Sequence, residues 1–170
     1  MNTLNLENIN KHAPYKVTVD TDFPHLFYFH TDYEVDYEIC IKSNDTFVPS
    51  GAYALDIRNK CNQPSPGDPK FRQTLMAIVE EFFRLNNDVM LYVTETEDKK
   101  QASRNRLFVR WFNTYEHRDQ YVIKTAEGKM NGQINFLAII SRKDNPNLAQ
   151  AIAEFDETIS FLFDPPEESA

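Results

Sequence analysis

The sequence predicts an α+β fold with a mixed, mainly antiparallel sheet, a central β-α-β unit and helices on the sheet faces. Three observations lead to this prediction. Runs rich in β-branched and aromatic residues come early in the chain. Apolar residues recur at helical spacing in three later segments. In mid-chain a strand, a helix and a second strand follow one another, which is the order of a right-handed crossover between parallel strands.

Between residues 15 and 57 the chain is predicted to form strands only. In YEVDYEICIK, apolar side chains alternate with charged ones, which predicts an antiparallel strand with one wet face. The acidic row Glu34, Asp36 and Glu38 is interpreted as that solvated face. A cation site is disfavoured, because neighbours on one strand face are about 6.6 to 7 Å apart. The four predicted strands are residues 15–20, 25–30, 33–42 and 52–57.

The remaining two thirds mix helices with strands. The helix at 70–85 has a continuous apolar stripe, and the apolar run at 89–93 is typical of a central strand. A second helix is expected over 99–115, with Leu107, Phe108, Trp111 and Phe112 packing inward. A hairpin through Gly128 and Gly132 is expected to join strands 120–126 and 134–141. Asn145 and Pro146 are expected to begin a last helix, whose apolar stripe reaches Leu162.

Composition indicates one folded domain and excludes several functions. The chain has 170 residues, 41% of them hydrophobic, and a net charge of −8, which disfavours nucleic acid and anionic membranes as partners. We expect a flexible arm over 1–13, a single α+β domain over 14–163 and a disordered acidic tail over 164–170. Cys40 and Cys61 form no metal-binding motif and are read as reduced thiols of a cytoplasmic protein. Histidine spacing indicates no zinc site, so no metal is expected.

The order of elements over residues 25–142 resembles the second half of the GCN5-related N-acetyltransferase fold. LYVTETEDKKQASRNRLFVRWF, residues 91–112, is similar to that family's central strand and following helix. The resemblance implies a coenzyme A loop before the first long helix and a tyrosine general acid on the next one. The nearest equivalent of that tyrosine is Phe108, which has no hydroxyl group, so no catalytic residue is predicted. The chain also resembles a family of uncharacterised bacterial proteins of similar length.

The loop that matches the coenzyme A loop is degenerate. In the acetyltransferases, its backbone N–H groups hold the pyrophosphate of the cofactor. The matching positions here are Gln63, Gly67, Asp68 and Lys70, among three prolines that supply no N–H donor. Asp68 is expected to cap the helix with its own carboxylate and to repel a phosphate. We therefore expect no cofactor, and acetyl-CoA only under the alternative given below.

The best candidate site is the cationic segment KKQASRNRLFVR at 99–110. On a helix, Lys100 and Arg104 are one turn apart, as are Arg106 and Arg110. These four side chains are candidates for binding an anion or an acidic protein partner. The alternative interpretation is a solvated helix face that pairs with the chain's own carboxylates.

Three functional hypotheses follow. The leading one is an acetyltransferase-like domain that lacks standard acyl transfer and binds a protein or a small anionic ligand at the cationic face. The alternative is an active acyl-CoA-dependent N-acyltransferase with an atypical pyrophosphate loop. A further alternative is a structural homodimer formed through an exposed sheet edge.

Overall fold

The structure, a computed structural model, describes residues 1–61, 66–96, 99–163 and 165; the side chains of 95, 96 and 99–105 lie outside that description. The chain divides into two compact units. The first comprises Met1–Lys42 and Ala54–Asp88, and the second comprises Ser43–Tyr53 and Val89–Ala170. The predicted α+β class is confirmed: the described residues form seven β-strands and four α-helices. The single domain over 14–163 stays a prediction, and the predicted tail at 164–170 lies, apart from residue 165, outside the described residues.

The first unit contains the predicted early strands and the first long helix. Strands β1 (Thr18–Val19), β2 (Leu26–His30) and β3 (Asp36–Ser43) are consecutive antiparallel neighbours, with Phe27 opposite Ile39 in the β2–β3 register. Val35, Tyr37, Ile39 and Ile41 are buried as the alternation predicts, but Tyr33 is 50% exposed in the turn before β3. The elements of this unit are α1 (Leu6–His12), β1 (Thr18–Val19), β2 (Leu26–His30), β3 (Asp36–Ser43), β4 (Ala52–Asn59, whose first two residues belong to the second unit) and α2 (Pro69–Leu85).

The N-terminal segment is more ordered than its polarity indicates. Instead of a flexible arm, the structure has the helix α1, which packs on α2 and buries Ile9 to 1% exposure. Its N-cap is Asn5, whose side chain accepts a hydrogen bond from the backbone N–H of Asn8 at 2.9 Å. The buried carboxylate of Glu81 on α2 accepts hydrogen bonds from the Asn5 backbone N–H and the Asn8 side-chain amide. These contacts, made to α2, have no local sequence signal.

The second unit contains three antiparallel strands in the order β5 (Val89–Thr96), β7 (Gln133–Arg142) and β6 (Tyr121–Met130). Helix α3 packs on β5, where Phe108 stacks on Tyr92 with ring centroids 4.1 Å apart. Phe108 and Phe112 are buried as predicted, whereas Leu107 is 40% exposed. The elements of this unit are β5 (Val89–Thr96), α3 (Lys99–Asn113), a 3-10 turn (Arg118–Gln120), β6 (Tyr121–Met130), β7 (Gln133–Arg142) and α4 (Leu148–Leu162).

Two turns of the second unit differ from their predicted form. The β6–β7 hairpin turns at Asn131 and Gly132, which have φ angles of 54° and 78° and so match a two-residue type I′ turn. Gly128 lies inside β6 instead. The last helix has its N-cap at Asn147. Asn145 is buried and bonds the Ser141 hydroxyl at 3.0 Å, so it stabilises the turn before the helix.

Among the described residues, no helix combines the length and the apolar content that crossing a bilayer requires. Both cysteines are free thiols.

Candidate functional site

The start of α2 is a fully formed helix cap, as the sequence predicts. Asp68 has extended backbone angles, Pro69 occupies the first helical position, and the Asp68 carboxylate accepts from the Lys70 backbone N–H at 3.0 Å. Proline suits this position because its missing N–H would find no partner inside the helix. The Lys70 N–H, one of the groups that a phosphate would seek here, is therefore bonded to Asp68.

The second oxygen of the Asp68 carboxylate is also bonded. The Tyr15 hydroxyl donates to it at 2.7 Å and accepts from the Asp32 backbone N–H at 3.2 Å. Burial, followed by the hydrogen bond to Asp68, raises the pKa of Tyr15 to about 12. The Tyr15 hydroxyl is therefore protonated at physiological pH, and it links Asp68 to the backbone of Asp32.

Lys70 is also paired within the first unit. Its ammonium group lies 2.8 Å from the Asp32 carboxylate and 5.8 Å from the centre of the Tyr15 ring. The hydrogen bond to Asp32 raises the pKa of Lys70. Gly67 is exposed, with open space where a side chain would be, and Gln63 lies outside the described residues. Of the predicted loop residues, Asp68 and Lys70 are therefore bonded to each other and to Tyr15 and Asp32 of the same unit.

The cationic helix α3 differs from the start of α2, because its described arginines face an open groove. Of its four predicted binding residues, Lys100 and Arg104 have side chains outside the described residues. Arg106 and Arg110 are both exposed and line an open groove of about 540 Å³ between α3 and β6. We refer to this feature, which lies entirely within the second unit, as the α3–β6 groove. Its lining residues are Arg106, Val109, Arg110, Asn113, Thr114, Thr125, Glu127 and Phe136.

Helix periodicity and sheet register explain why these residues meet. Arg106, Val109, Arg110 and Asn113 have the spacing i, i+3, i+4 and i+7, which places them on one face of α3. Thr125 and Glu127 are two apart on β6 and therefore point to one face of the sheet. Phe136 is the β7 partner of Glu127 and shares that face.

The groove has basic, apolar and acidic parts. Within the part of the chain that the structure describes, no carboxylate forms an ion pair with Arg106 or Arg110. Phe136, which is 8% exposed, is the aromatic residue of the lining. The exposed Glu127 is its acidic residue. Such a surface can hold a carboxylate or phosphate group through the guanidinium groups while covering an apolar part of the same ligand.

Other polar groups of the groove are partly occupied. The Asn113 side-chain oxygen accepts from Arg118 Nε at 3.2 Å, and the Thr114 hydroxyl donates to the Arg110 carbonyl at 2.9 Å. Among the lining residues that the structure describes, none is a histidine or a cysteine.

Sequence reasoning missed the contributions of β6 and β7 to this groove. Thr125, Glu127 and Phe136 lie in two segments that the sequence marks only as strands. Period-two alternation shows that Thr125 and Glu127 share a face, but it does not show that α3 covers that face. The packing of α3 over that face depends on contacts between segments that are far apart in the sequence.

The acidic strand face predicted on β3 is occupied by internal contacts. His30 lies between Asp36, at 2.7 Å, and Glu34, at 3.1 Å. The hydrogen bond to Asp36 raises the pKa of His30. Among the residues that the structure describes, no group of three histidine, cysteine or acidic side chains is arranged to hold a metal ion.

Comparison with known protein families assigns the chain to one of them. Residues 67–157, more than half of its length, match a family described as "Family of unknown function (DUF6169)". The chain belongs to this family. The DUF6169 region begins at Gly67, runs through α2 and α3, and includes every lining residue of the α3–β6 groove. This fits the coarser resemblance to uncharacterised proteins, and it assigns no activity.

Two further comparisons add little to the DUF6169 assignment. Among curated proteins, none matches the sequence. A solved structure, "The structure of a CoA-dependent acyl-homoserine lactone synthase, MesI", is similar with a TM-score of 0.36 and 11% sequence identity, over 87% of this chain and 74% of that chain. A similarity of this size supports no conclusion about activity.

Proposed function

We propose that this protein is a binding domain that lacks standard acyl transfer and recognises carboxylate groups of an acidic ligand at the α3–β6 groove. The observation that carries the proposal is the pair of exposed arginines on the groove wall, for which the described residues provide no carboxylate partner. The chain has a net charge of −8, so two arginines on one helix face without a described carboxylate partner are a local exception.

The size and lining of the groove support a ligand with both acidic and apolar parts. Its volume of about 540 Å³ falls within the range of roughly 300 to 1,000 Å³ that small-molecule sites occupy. Arg106 and Arg110 would pair with carboxylate oxygens, and Phe136 would contact the hydrocarbon part. The same chemistry suits a free dicarboxylate and the acidic side chains of a protein partner.

The contacts of Asp68 support the absence of standard acyl transfer. A pyrophosphate at the start of α2 would have to replace the carboxylate that bonds the Lys70 N–H and the Tyr15 hydroxyl. The displaced Asp68 carboxylate would remain close to the pyrophosphate, and the two negative charges would repel each other. We therefore propose no cofactor, and neither nucleic acid nor membrane as a partner. A cytoplasmic, bacterial setting is part of the same proposal, and the free thiols of Cys40 and Cys61 agree with a reducing compartment.

Calorimetric titration with glutarate tests the proposal, with glutaramide as the uncharged probe of the same carbon skeleton. We expect glutarate to bind and glutaramide to bind at least tenfold more weakly. Hydrogen bonds to charged groups contribute about 1.5 to 3 kcal/mol, and 1.4 kcal/mol is tenfold in affinity. Arg106→Glu and Arg110→Glu should therefore each lower glutarate affinity about tenfold. Lys143→Glu is the matched charge reversal, at an exposed position of the same unit outside the groove.

The outcome that would contradict the proposal is equally specific. If Lys143→Glu weakens glutarate binding as much as Arg106→Glu does, the attraction is general to the protein surface and the groove is not the site. If wild-type protein binds neither probe, the carboxylate-binding role is wrong.

A further inference from the structure

Strand β6 presents a long edge at the end of the second unit's sheet. It is ten residues long and pairs with β7 on one side. No other described strand pairs with it. An edge of this length exposes a row of backbone donors and acceptors that a further strand can use.

The hairpin register identifies which backbone groups form that row. In a two-residue type I′ hairpin, the residues that flank the loop exchange hydrogen bonds, here Met130 and Gln133. Bonded and non-bonded pairs alternate along an antiparallel ladder. Ile123, Thr125 and Glu127 are therefore in non-bonded pairs and direct their N–H and C=O groups away from β7.

One contact supports this assignment independently. Tyr121 has the same parity as Ile123, and its carbonyl oxygen accepts from Arg118 Nη1 at 2.7 Å. A carbonyl engaged in the β7 ladder would be turned away from Arg118. Beyond Tyr121, the described residues provide no hydrogen-bond partner for the outward backbone groups of Ile123, Thr125 and Glu127.

The open edge and the α3–β6 groove share residues. Thr125 and Glu127 contribute their side chains to the groove and their outward backbone groups to the edge. A strand added beside β6 would lie about 4.8 Å away and would place every second side chain on the groove face. The edge and the groove are thus parts of one continuous surface.

From this continuity we propose that the ligand of the groove is an extended acidic peptide, which adds to β6 as an extra strand and directs alternate acidic side chains at Arg106 and Arg110. This inference rests on the carboxylate-binding role proposed above. Four helical residues rise about 6 Å, and alternate strand residues are about 6.6 to 7 Å apart. An acid–any residue–acid sequence therefore has the spacing of the two arginines.

The remaining charges on β6 set limits on the peptide. Lys124 points to the opposite face and pairs with Asp156 at 2.6 Å, so it does not attract the peptide's acidic row. Glu127 lies on the groove face, and like charges placed directly opposite destabilise a strand pair. Glu127 therefore disfavours registers that place an acid directly beside it, and it helps to fix which residues face the arginines.

A second copy of this chain fits the surface less well. Through the same edge, a partner β6 would contribute Glu127 as its one acidic side chain, together with Lys124 and Lys129. That strand lacks two acids at alternate positions. Charge complementarity therefore favours a separate acidic peptide over a dimer.

Amide hydrogen exchange measured by NMR tests the inference with the probe acetyl-Thr-Glu-Thr-Glu-Thr-amide. In the free protein, we expect the amides of Ile123, Thr125 and Glu127 to exchange at least tenfold faster than those of Lys124 and Ala126. Saturating peptide should slow the first three selectively. The same peptide with glutamine in place of glutamate is the matched control and should give no protection at equal concentration.

A variant of the edge separates strand addition from charge attraction. Ile123→Pro removes one outward N–H without removing a ladder bond, and Ile123→Ala removes the side chain but keeps the N–H. We expect the proline variant to lose peptide affinity at least tenfold, the alanine variant to stay within twofold of wild type, and glutarate affinity to be retained in both.

Each contrary result has a distinct meaning. One such result is that the peptide binds and shifts the NMR signals of Arg106 and Arg110 without slowing hydrogen exchange at the amides of Ile123, Thr125 and Glu127. In that case strand addition is wrong and the carboxylate-binding role survives. If the edge amides are already protected in the free protein and light scattering shows a dimer, the edge belongs to a second copy and the inference is overturned. If neither peptide nor glutarate binds, both proposals are wrong.

Discussion

Replacing Asp68 by alanine should remove two contacts that organise the start of α2. The side chain is 9% exposed, caps the Lys70 N–H at 3.0 Å and accepts from the Tyr15 hydroxyl at 2.7 Å. Loss of an N-cap costs about 0.5 to 2 kcal/mol. Loss of a hydrogen bond to a charged group costs about 1.5 to 3 kcal/mol. Because the two contacts share one carboxylate and are not fully additive, we expect Asp68→Ala to lower the free energy of unfolding by about 2 to 4 kcal/mol.

Asp68→Asn separates the two contributions. Asparagine caps helices about as well as aspartate, so this variant keeps the cap and weakens only the hydrogen bond from Tyr15. We expect it to cost about 1 to 1.5 kcal/mol, the difference between a charge-assisted and a neutral hydrogen bond. Tyr15→Phe removes the same bond, so the double variant should cost clearly less than the sum of the two single variants.

Urea unfolding followed by circular dichroism measures these changes. The slope of the free energy of unfolding against urea concentration is held equal among the variants. Asp88→Ala is the control, because Asp88 is an exposed carboxylate of the same unit and should change stability by no more than about 0.5 kcal/mol. If Asp68→Ala costs as little as Asp88→Ala, the carboxylate does not hold the helix start, and the argument that it occupies a phosphate position is refuted.

Three further predictions concern other contacts. Burial opposes ionisation of Glu81, but its hydrogen bonds outweigh burial and lower its pKa; its contribution is present above the unfolded pKa and is lost as pH falls through the folded pKa. Glu81→Gln should therefore cost about 1 to 3 kcal/mol at pH 7 and less in acid, by urea unfolding. The raised pKa of His30 should, by NMR titration, fall in Asp36→Asn; its stabilisation is present below the unfolded pKa and is lost as pH rises through the folded pKa. A Cβ added at Gly128 would overlap the Phe163 ring, so Gly128→Ala should displace that ring and shift its NMR signals.

Each of these predictions has a result that contradicts it. An equal cost of Glu81→Gln at pH 7 and in acid would show that its charge does not matter. An unchanged His30 pKa in Asp36→Asn would remove the carboxylate as its cause. Unmoved Phe163 ring signals in Gly128→Ala would show that the ring does not lie against Gly128. Gly132→Ala is not a suitable control, because Gly132 has a φ of 78° and a side chain there is strained.

Local chemistry explains which parts of the fold the sequence predicts. The Asp-Pro pair at 68–69 determines a helix start without tertiary help, because cap and first turn are adjacent in the chain. Period-two alternation correctly identifies the buried residues Tyr37, Ile39 and Ile41 of β3 and Val35 just before it, because one face of that strand is dry.

Other features depend on contacts between distant segments. Helix α1 is short and polar, and it is held by the burial of Ile9 and by Glu81, about 70 residues later. Leu107 follows the apolar spacing of α3, yet it lies where no described element covers it fully. The groove joins α3 to β6 and β7, so its cationic wall is visible in sequence but its acidic and aromatic residues are not.

The central claim is that this protein receives acidic groups at the α3–β6 groove and not at the start of α2. A two-dimensional NMR titration of the labelled protein with glutarate tests it most directly. We predict saturable shifts at the amides and guanidinium groups of Arg106 and Arg110, with Gly67, Asp68 and Lys70 unmoved. Shifts concentrated at residues 67–70, or no saturable shift anywhere, would contradict the account.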